Sequence, residues 1–200
     1  MYTVSEMDYN NYKKIIKDRL DDYRYHHSLC VAEQAVKLAE KYGADRNKAY
    51  LAGLLHDITK NDSMDEHLRN FNRFGIILTD VEKAAPKLWH AISGAAFVQK
   101  ELSVEDTEII SAIRYHTTAK QDMTCLEKVI YLADFTSSDR TYGDVEIMRK
   151  LVCKDVDSAM EYALKYTISD LANKGLPIHP DTVYAYNQII VKLSNKGDIK

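Results

Sequence analysis

Glycine and proline are scarce in this chain, seven and three in 200 residues, and no segment alternates apolar and polar residues with period two. That excludes a sheet-rich fold and leaves helix as the default nearly throughout. Basic tracts are missing and the formal net charge is −3, so nucleic acid is not an expected partner. No run reaches the ~18 apolar residues that suggest a membrane span, and the opening MYTVSEMDYNNYKK lacks the apolar stretch of a secretory signal. A cytoplasmic protein without membrane contact is therefore expected. Cys30, Cys125 and Cys153 are odd in number and far apart, with no C-x-x-C, and read as reduced core thiols. What remains, 46% hydrophobic and 28% charged residues, suffices for one buried core. With no repeat, low-complexity stretch or linker, residues 1–200 read as a single all-α domain.

Helix punctuation divides the chain. Ser5 with Asp8 forms a candidate N-cap pair for a first helix with Tyr9, Tyr12, Ile16 and Leu20 on one face. A second helix runs from about Tyr25 to a stop at Gly43, with Ala32, Ala35, Val36 and Ala39 inward. Asp45 caps a third, expected to carry His56 and Asp57. A short helix is expected over Met64 to Phe74 within a polar segment containing His67, with Gly75 as its stop. Pro86 suits the first turn of the helix through Trp89, His90 and Phe97. Ser103 with Asp106 opens the next, and its inward stripe is Ile109, Ile113 and His116. Thr124 with Glu127 is the clearest capping box, leading to Leu126, Ile130 and Asp134 at four-residue spacing. Beyond Gly143, two helical stretches reach Asn173, Gly175 ends them, and Pro180 opens the last helix.

The chemistry starts at LLHDITK, Leu54 to Lys60. Ala49, Ala52, Gly53 and His56 share one helical stripe, and such small residues let a neighbouring helix approach closely. A buried Asp57 without a partner would cost several kcal/mol, on the order of a lost buried ion pair, so something positive must meet it. One inward histidine is usually a core residue bonded to backbone. Here His27, His56, Asp57, His90, His116 and Asp134 each lie beside the apolar stripe of one of five helices, and burying all six unpaired costs far more than binding metal. Imidazole and carboxylate without thiolate suit Fe, Mn, Zn, Ni or Mg. Six ligands divide economically over two ions ~3.5–4 Å apart, with Asp57 as bridge, His27, His56 and Asp134 on the first and His90 and His116 on the second. Two divalent ions against two aspartates leave a surplus of about +2, which calls for a polyanionic substrate. Lys60, one turn beyond His56, Arg24 and Arg140 are candidates for its phosphate oxygens.

The ordered set RYHHSLCVAEQAVKLA (Arg24 to Ala39), AGLLHDITK (Ala52 to Lys60), LWHAISGAAFVQKEL (Leu88 to Leu102), IRYHTT (Ile113 to Thr118), LEKVIYLAD (Leu126 to Asp134) and KGLPIHPDTVYAYN (Lys174 to Asn187) resembles the HD-domain metal-dependent phosphohydrolases. More narrowly it resembles the bacterial YqeK-type proteins, which hydrolyse diadenosine tetraphosphate symmetrically. The resemblance covers nearly the whole chain. It implies an HD-domain helical bundle, with a metal core over about 24–134 and C-terminal helices over about 144–195 packing on it. It also implies a dinuclear site, iron foremost with Mn, Mg, Zn or Ni as alternatives, and a dinucleoside tetraphosphate split into two nucleoside diphosphates. The mechanism expected is attack by a hydroxide held between the ions, with Asp57 and Lys60 as the catalytic groups. His179 and Asn187, in the terminal motif, are expected at the nucleotide end, although His179 with Pro180 also reads as a helix cap. A homodimer is compatible with the sequence.

The family pattern is not fully kept. H-G-P becomes His90-Ala91-Ile92, and A-D-x-x-E-P-x-R becomes Ala133-Asp134-Phe135-Thr136-Ser137-Ser138-Asp139-Arg140, keeping Arg140 but losing Glu-Pro. Ala119 replaces a usual glycine. These positions are expected around the pocket rim, where they bear on substrate preference. Three other readings share the ligand set: a nucleotide phosphomonoesterase releasing phosphate, a di-iron oxygenase of HD type, and a nucleotide-binding regulator without catalysis.

Overall fold

The computed structural model describes residues 9–197, so the Ser5–Asp8 cap pair lies outside the described residues. Among the described residues eleven α-helices follow one another: α1 (Tyr9–Arg19), α2 (Asp22–Tyr42), α3 (Arg46–Leu55), α4 (Met64–Phe74), α5 (Asp80–Ala84), α6 (Trp89–Lys100), α7 (Thr107–Tyr115), α8 (Cys125–Thr136), α9 (Val145–Lys154), α10 (Val156–Asn173) and α11 (Pro180–Lys196). The described residues contain no strand. Pro86–Leu88 form a 3-10 turn that leads into α6.

Local chemistry accounts for most boundaries. Asp21 caps α2 by accepting from the Arg24 amide, and Gly43 ends it at φ 79°, a conformation glycine adopts at little steric cost. Asp45 accepts from the Asn47 and Lys48 amides to start α3. Reciprocal capping boxes open α8 at Thr124–Glu127, α4 at Ser63–Glu66 and α5 at Thr79–Glu82. Ser103 does not cap α7: it adopts φ 55° in the preceding loop, and Asp106 accepts from the Glu108 and Ile109 amides instead.

Helices α2, α3, α7 and α8 pack on one another and α6 joins them through α7, while α10 packs on α8, α9 and α11. One hydrophobic cluster runs from Ile16 and Leu20 through the Ala32, Ala35 and Ala39 stripe of α2 to Met160, Ala163 and Leu193. The approach of α2 to α3 is closest at Gly53, where a Cβ would stand 2.9 Å from the Ala32 Cα. A second, smaller cluster of Phe71, Trp89 and Ile92 joins α4 to α6. His67 belongs here and not to a polar connection: it is buried, its Nδ1 is 2.8 Å from Ser93 Oγ, and its ring packs by Phe71 and Trp89. Of the three free cysteines only Cys30 is a core thiol; Cys125 and Cys153 sit on exposed turns of amphipathic helices.

Candidate metal centre

Two ligand-type histidines stand at helix ends. Helix α3 stops at Leu55, so His56 is its C-terminal cap and Asp57 opens the following turn, whereas the apolar pattern placed both within the helix. Helix α7 ends the same way, with His116 as cap. In each case the ring Nδ1 lies 2.7 Å from the carbonyl three residues back, Gly53 for His56 and Ile113 for His116. Those carbonyls belong to ending turns that lack amide partners. The ring N–H satisfies them, fixes the tautomer, and leaves a bare Nε2 facing Asp57, 3.6 Å from Oδ2 for His56 and from Oδ1 for His116.

His27, on α2, is held by a different device. Its Nδ1 is 2.8 Å from Asp139 Oδ2 and its Nε2 is 3.0 Å from Asp134 Oδ1. A neutral ring can donate to only one of these carboxylates, so whichever nitrogen carries the proton the other presents a lone pair to a carboxylate, acceptor against acceptor. Only a positive group between or beside them makes that arrangement favourable. His90 comes from the first turn of α6, where Thr59 Oγ1 donates to the His90 carbonyl at 2.8 Å. Gly94 lets that turn close in, since a Cβ there would meet Thr59 Oγ1 at 3.2 Å. His90 Nε2 stands 3.2 Å from both His116 Nε2 and Asp57 Oδ1.

Three cations meet the two carboxylates. Arg24 Nη1 is 3.2 Å from Asp57 Oδ2, Lys60 Nζ is 3.6 Å from Asp57 Oδ1, and Arg140 pairs with Asp134 and reaches His27 Nε2 at 3.3 Å. Burial drives the imidazoles down, His56 to about 3 and His90 to about 4, so both rings are neutral at pH 7. Burial alone would push the Asp57 carboxyl up, but the adjacent His56 ring, which is charged only in the acid range where that carboxyl would titrate, and the Lys60 ammonium outweigh it and hold the group well below the usual range. Asp134 is likewise pushed up by burial and brought well down by the His27 hydrogen bond and Arg140. Neutral imidazoles facing ionised carboxylates are the protonation states that cation binding requires.

The donor set fits metal. His56 Nε2 and Asp57 Oδ1 are buried and make no hydrogen bond, a costly condition that a cation would relieve. Two triplets, His27–His56–Asp134 and His56–Asp57–His116, bring one donor atom per residue within 4.8 Å of one another. The first is the trio expected for one ion. The second differs from the expected division by including His56, with His90 adjoining it.

All six residues singled out from the sequence thus converge, with Arg24, Lys60 and Arg140 around them. His179 and Asn187 make their contacts elsewhere. His179 caps α11, its Nδ1 accepting from the Asp181 amide at 3.2 Å, and its Nε2 lies 3.7 Å from Glu82. Asn187 lines a surface recess with Gln121 and Tyr184. The departures from the family pattern are mostly not at a rim: Ala91, Ile92, Ala119 and Ser137 are buried, and only Ser138 is exposed. Ile92 completes the Phe71–Trp89 cluster. Ala119 holds φ 56°, where a side chain costs roughly 1–2 kcal/mol relative to glycine. Sequence reasoning missed Asp139, an acid two residues beyond the lost glutamate of the family pattern, and Thr59, a hydroxyl two residues beyond Asp57.

Comparison with known proteins agrees with this geometry. The HD domain family model matches residues 24–139. The chain is 37% identical over 179 residues to the symmetrical bis(5'-nucleosyl)-tetraphosphatase of Halalkalibacterium halodurans, covering 90% of this chain and 95% of that one. It is also 37% identical to the Bacillus subtilis protein of the same name, covering 88% and 94%. A crystal structure from Clostridium acetobutylicum, described as a "predicted HD superfamily hydrolase involved in NAD metabolism", superposes with a TM-score of 0.89 at 31% identity, covering 93% of this chain and 98% of that one. From the matched motifs to the superposed helices, the chain belongs to the HD domain family.

Proposed function

We propose that this chain is a metal-dependent hydrolase that splits a dinucleoside tetraphosphate, diadenosine tetraphosphate foremost, at its centre into two nucleoside diphosphates. The observation that carries the reading is the convergence of four imidazoles and two carboxylates, with orphaned donor atoms, beneath a rim of three cations. The names of the Halalkalibacterium, Bacillus and Staphylococcus aureus relatives, 33–37% identical, support the substrate.

His27, His56 and Asp134 would hold one cation and His90 and His116 a second, with Asp57 between them; iron is the first candidate and Mn, Mg, Zn and Ni the alternatives. When bound, the cations supply Lewis-acid activation of water and neutralise phosphoryl charge. The chain's own residues do the rest. Arg24 and Lys60, which pair with Asp57, and Arg140, which pairs with Asp134, are placed to turn toward phosphate oxygens once the carboxylates are engaged. Lys60 Nζ is 3.0 Å from His90 Nε2, so its ammonium covers the ring lone pair that a cation would take and would be free to meet a phosphate oxygen once that nitrogen is engaged. The four imidazoles and Asp57 are buried beneath that rim, and the low dielectric there strengthens every charge contact made. Residues 1–200 act as one HD unit in this reading, and exposed free Cys125 and Cys153 suit a reducing cytoplasmic setting.

The test is product separation. Protein loaded with each candidate cation is incubated under argon with diadenosine tetraphosphate, and the reading requires two equivalents of ADP. AMP with ATP, or free phosphate, would replace it with another hydrolase. Turnover only in oxygen would favour the oxygenase, and binding without cleavage the regulator.

A further inference from the structure

Next to Asp134 the surface opens into a recess of about 230 Å³ lined by Asp134, Phe135, Arg140, Tyr142 and Tyr166. The cluster's imidazoles are shut away, whereas the side chains of Asp134 and Arg140 are 20% and 27% accessible. The recess therefore adjoins the cluster on a side open to solvent. Its other walls are aromatic. Tyr166 is 40% exposed, its ring centroid 5.8 Å from Tyr142 and 6.5 Å from Phe135, the latter nearly perpendicular. Phe135 is backed by buried Tyr131 at 5.3 Å, and the Tyr142 hydroxyl donates to the Phe135 carbonyl at 3.0 Å. Phe135 and Tyr142 also lean on the hydrophobic core, so both are held in place, while much of Tyr166 remains available to solvent.

We propose that this recess receives one nucleobase of the substrate, stacked on Tyr166 with Phe135 and Tyr142 as walls, while Arg140 takes the neighbouring phosphate. The inference rests on the phosphohydrolase reading and names one subsite within it. A central cut leaves one base a single phosphate and a ribose from the attacked phosphorus and the other base two phosphates and a ribose from it, so a base must lie beside the cluster and not in it. The recess shares Asp134 with the cluster, and its lining includes Arg140, a cation of the kind an α-phosphate needs. Its volume is below the roughly 300–1,000 Å³ of pockets that hold whole drug-sized ligands, which suits one end of a nucleotide. Aromatic platforms accept any base through its π-face.

Equilibrium binding of ADP and of inorganic pyrophosphate to the metal-loaded protein, measured by calorimetry, tests the proposal. In Tyr166→Ala, ADP affinity should fall about fivefold to a hundredfold, the span of one base–aromatic stack, with pyrophosphate affinity unchanged and Tyr166→Phe restoring ADP binding. Equal loss for both ligands, no loss for either, or a wild-type protein that binds ADP no better than pyrophosphate would overturn it. Selective loss in a protein that leaves diadenosine tetraphosphate intact would keep the subsite and remove the hydrolase reading, so the two failures are separable.

Discussion

Replacing Gly53 with alanine isolates the link between helix packing and the cluster. In a helix interior the change would ordinarily stabilise by about 1 kcal/mol, because alanine loses less backbone entropy. Here the added Cβ would stand 2.9 Å from Ala32 Cα, 3.1 Å from Ala32 N and 3.2 Å from the Val31 carbonyl. All three are backbone atoms, so no rotamer relieves the contact and α2 must move away from α3 as a unit. Overpacking of this kind costs ~1–3 kcal/mol, to which the surrender of close α2–α3 contact adds. Set against the propensity gain, a net loss of ~1–2 kcal/mol is expected, or roughly 2–8 °C in Tm for a chain of this length. The displacement also reaches the site, because His56 Nδ1 is tied to the Gly53 carbonyl at 2.7 Å. Urea unfolding should show the lower midpoint with an unchanged slope, and chelator competition a weaker hold on metal. Gly94→Ala serves as contrast: its nearest neighbour is a side-chain atom, Thr59 Oγ1 at 3.2 Å, and a smaller change is expected. A Gly53→Ala protein as stable as the parent would refute the reasoning.

Three further outcomes follow from the site. Asp139→Ala removes the carboxylate that fixes the His27 ring and should weaken metal affinity ~10–100-fold at unaltered helicity; unchanged affinity would show that His27 needs no such orienter. Metal-free protein should lose stability as pH falls below the ordinary histidine range. His56 and His90 resist protonation when folded, down to about 3 and about 4, but accept protons when unfolded, so their contribution is complete above pH ~6.5 and drains from there down to pH ~4 for His90 and ~3 for His56. Urea midpoints flat from pH 7.5 to 4.5 would contradict this. Lys60→Ala should keep both metals while lowering turnover, which elemental analysis and product formation read separately; loss of metal instead would make Lys60 part of the binding framework.

Local signals made much of the fold legible. Asp45, Thr124, Gly43 and Gly75 act through side chains or φ values that operate within four residues, and the helices they bound appeared where they point. The six cluster residues were legible for another reason: each is an expensive polar group set beside an apolar stripe, and together they demand a shared partner. Long-range pairing was harder to read. Asp139 meets His27 across 112 residues, and His67 meets Ser93 across 26, relations that no local period encodes. The burial of His67 also defeats a composition-based reading, because the polar residues around it face solvent while the His67–Phe71 face of α4 closes on Trp89. Ser103 looked like a cap because serine often is one, but its positive φ removed it from the helix start.

In the proposed site, residues from five parts of the chain hold a common pair of cations. Elemental analysis of purified, metal-saturated protein and its Asp57→Ala variant tests this most directly. Close to two equivalents per chain are expected in the parent and well under one in the variant. Full occupancy retained without Asp57, or a parent that binds no metal at all, would contradict it.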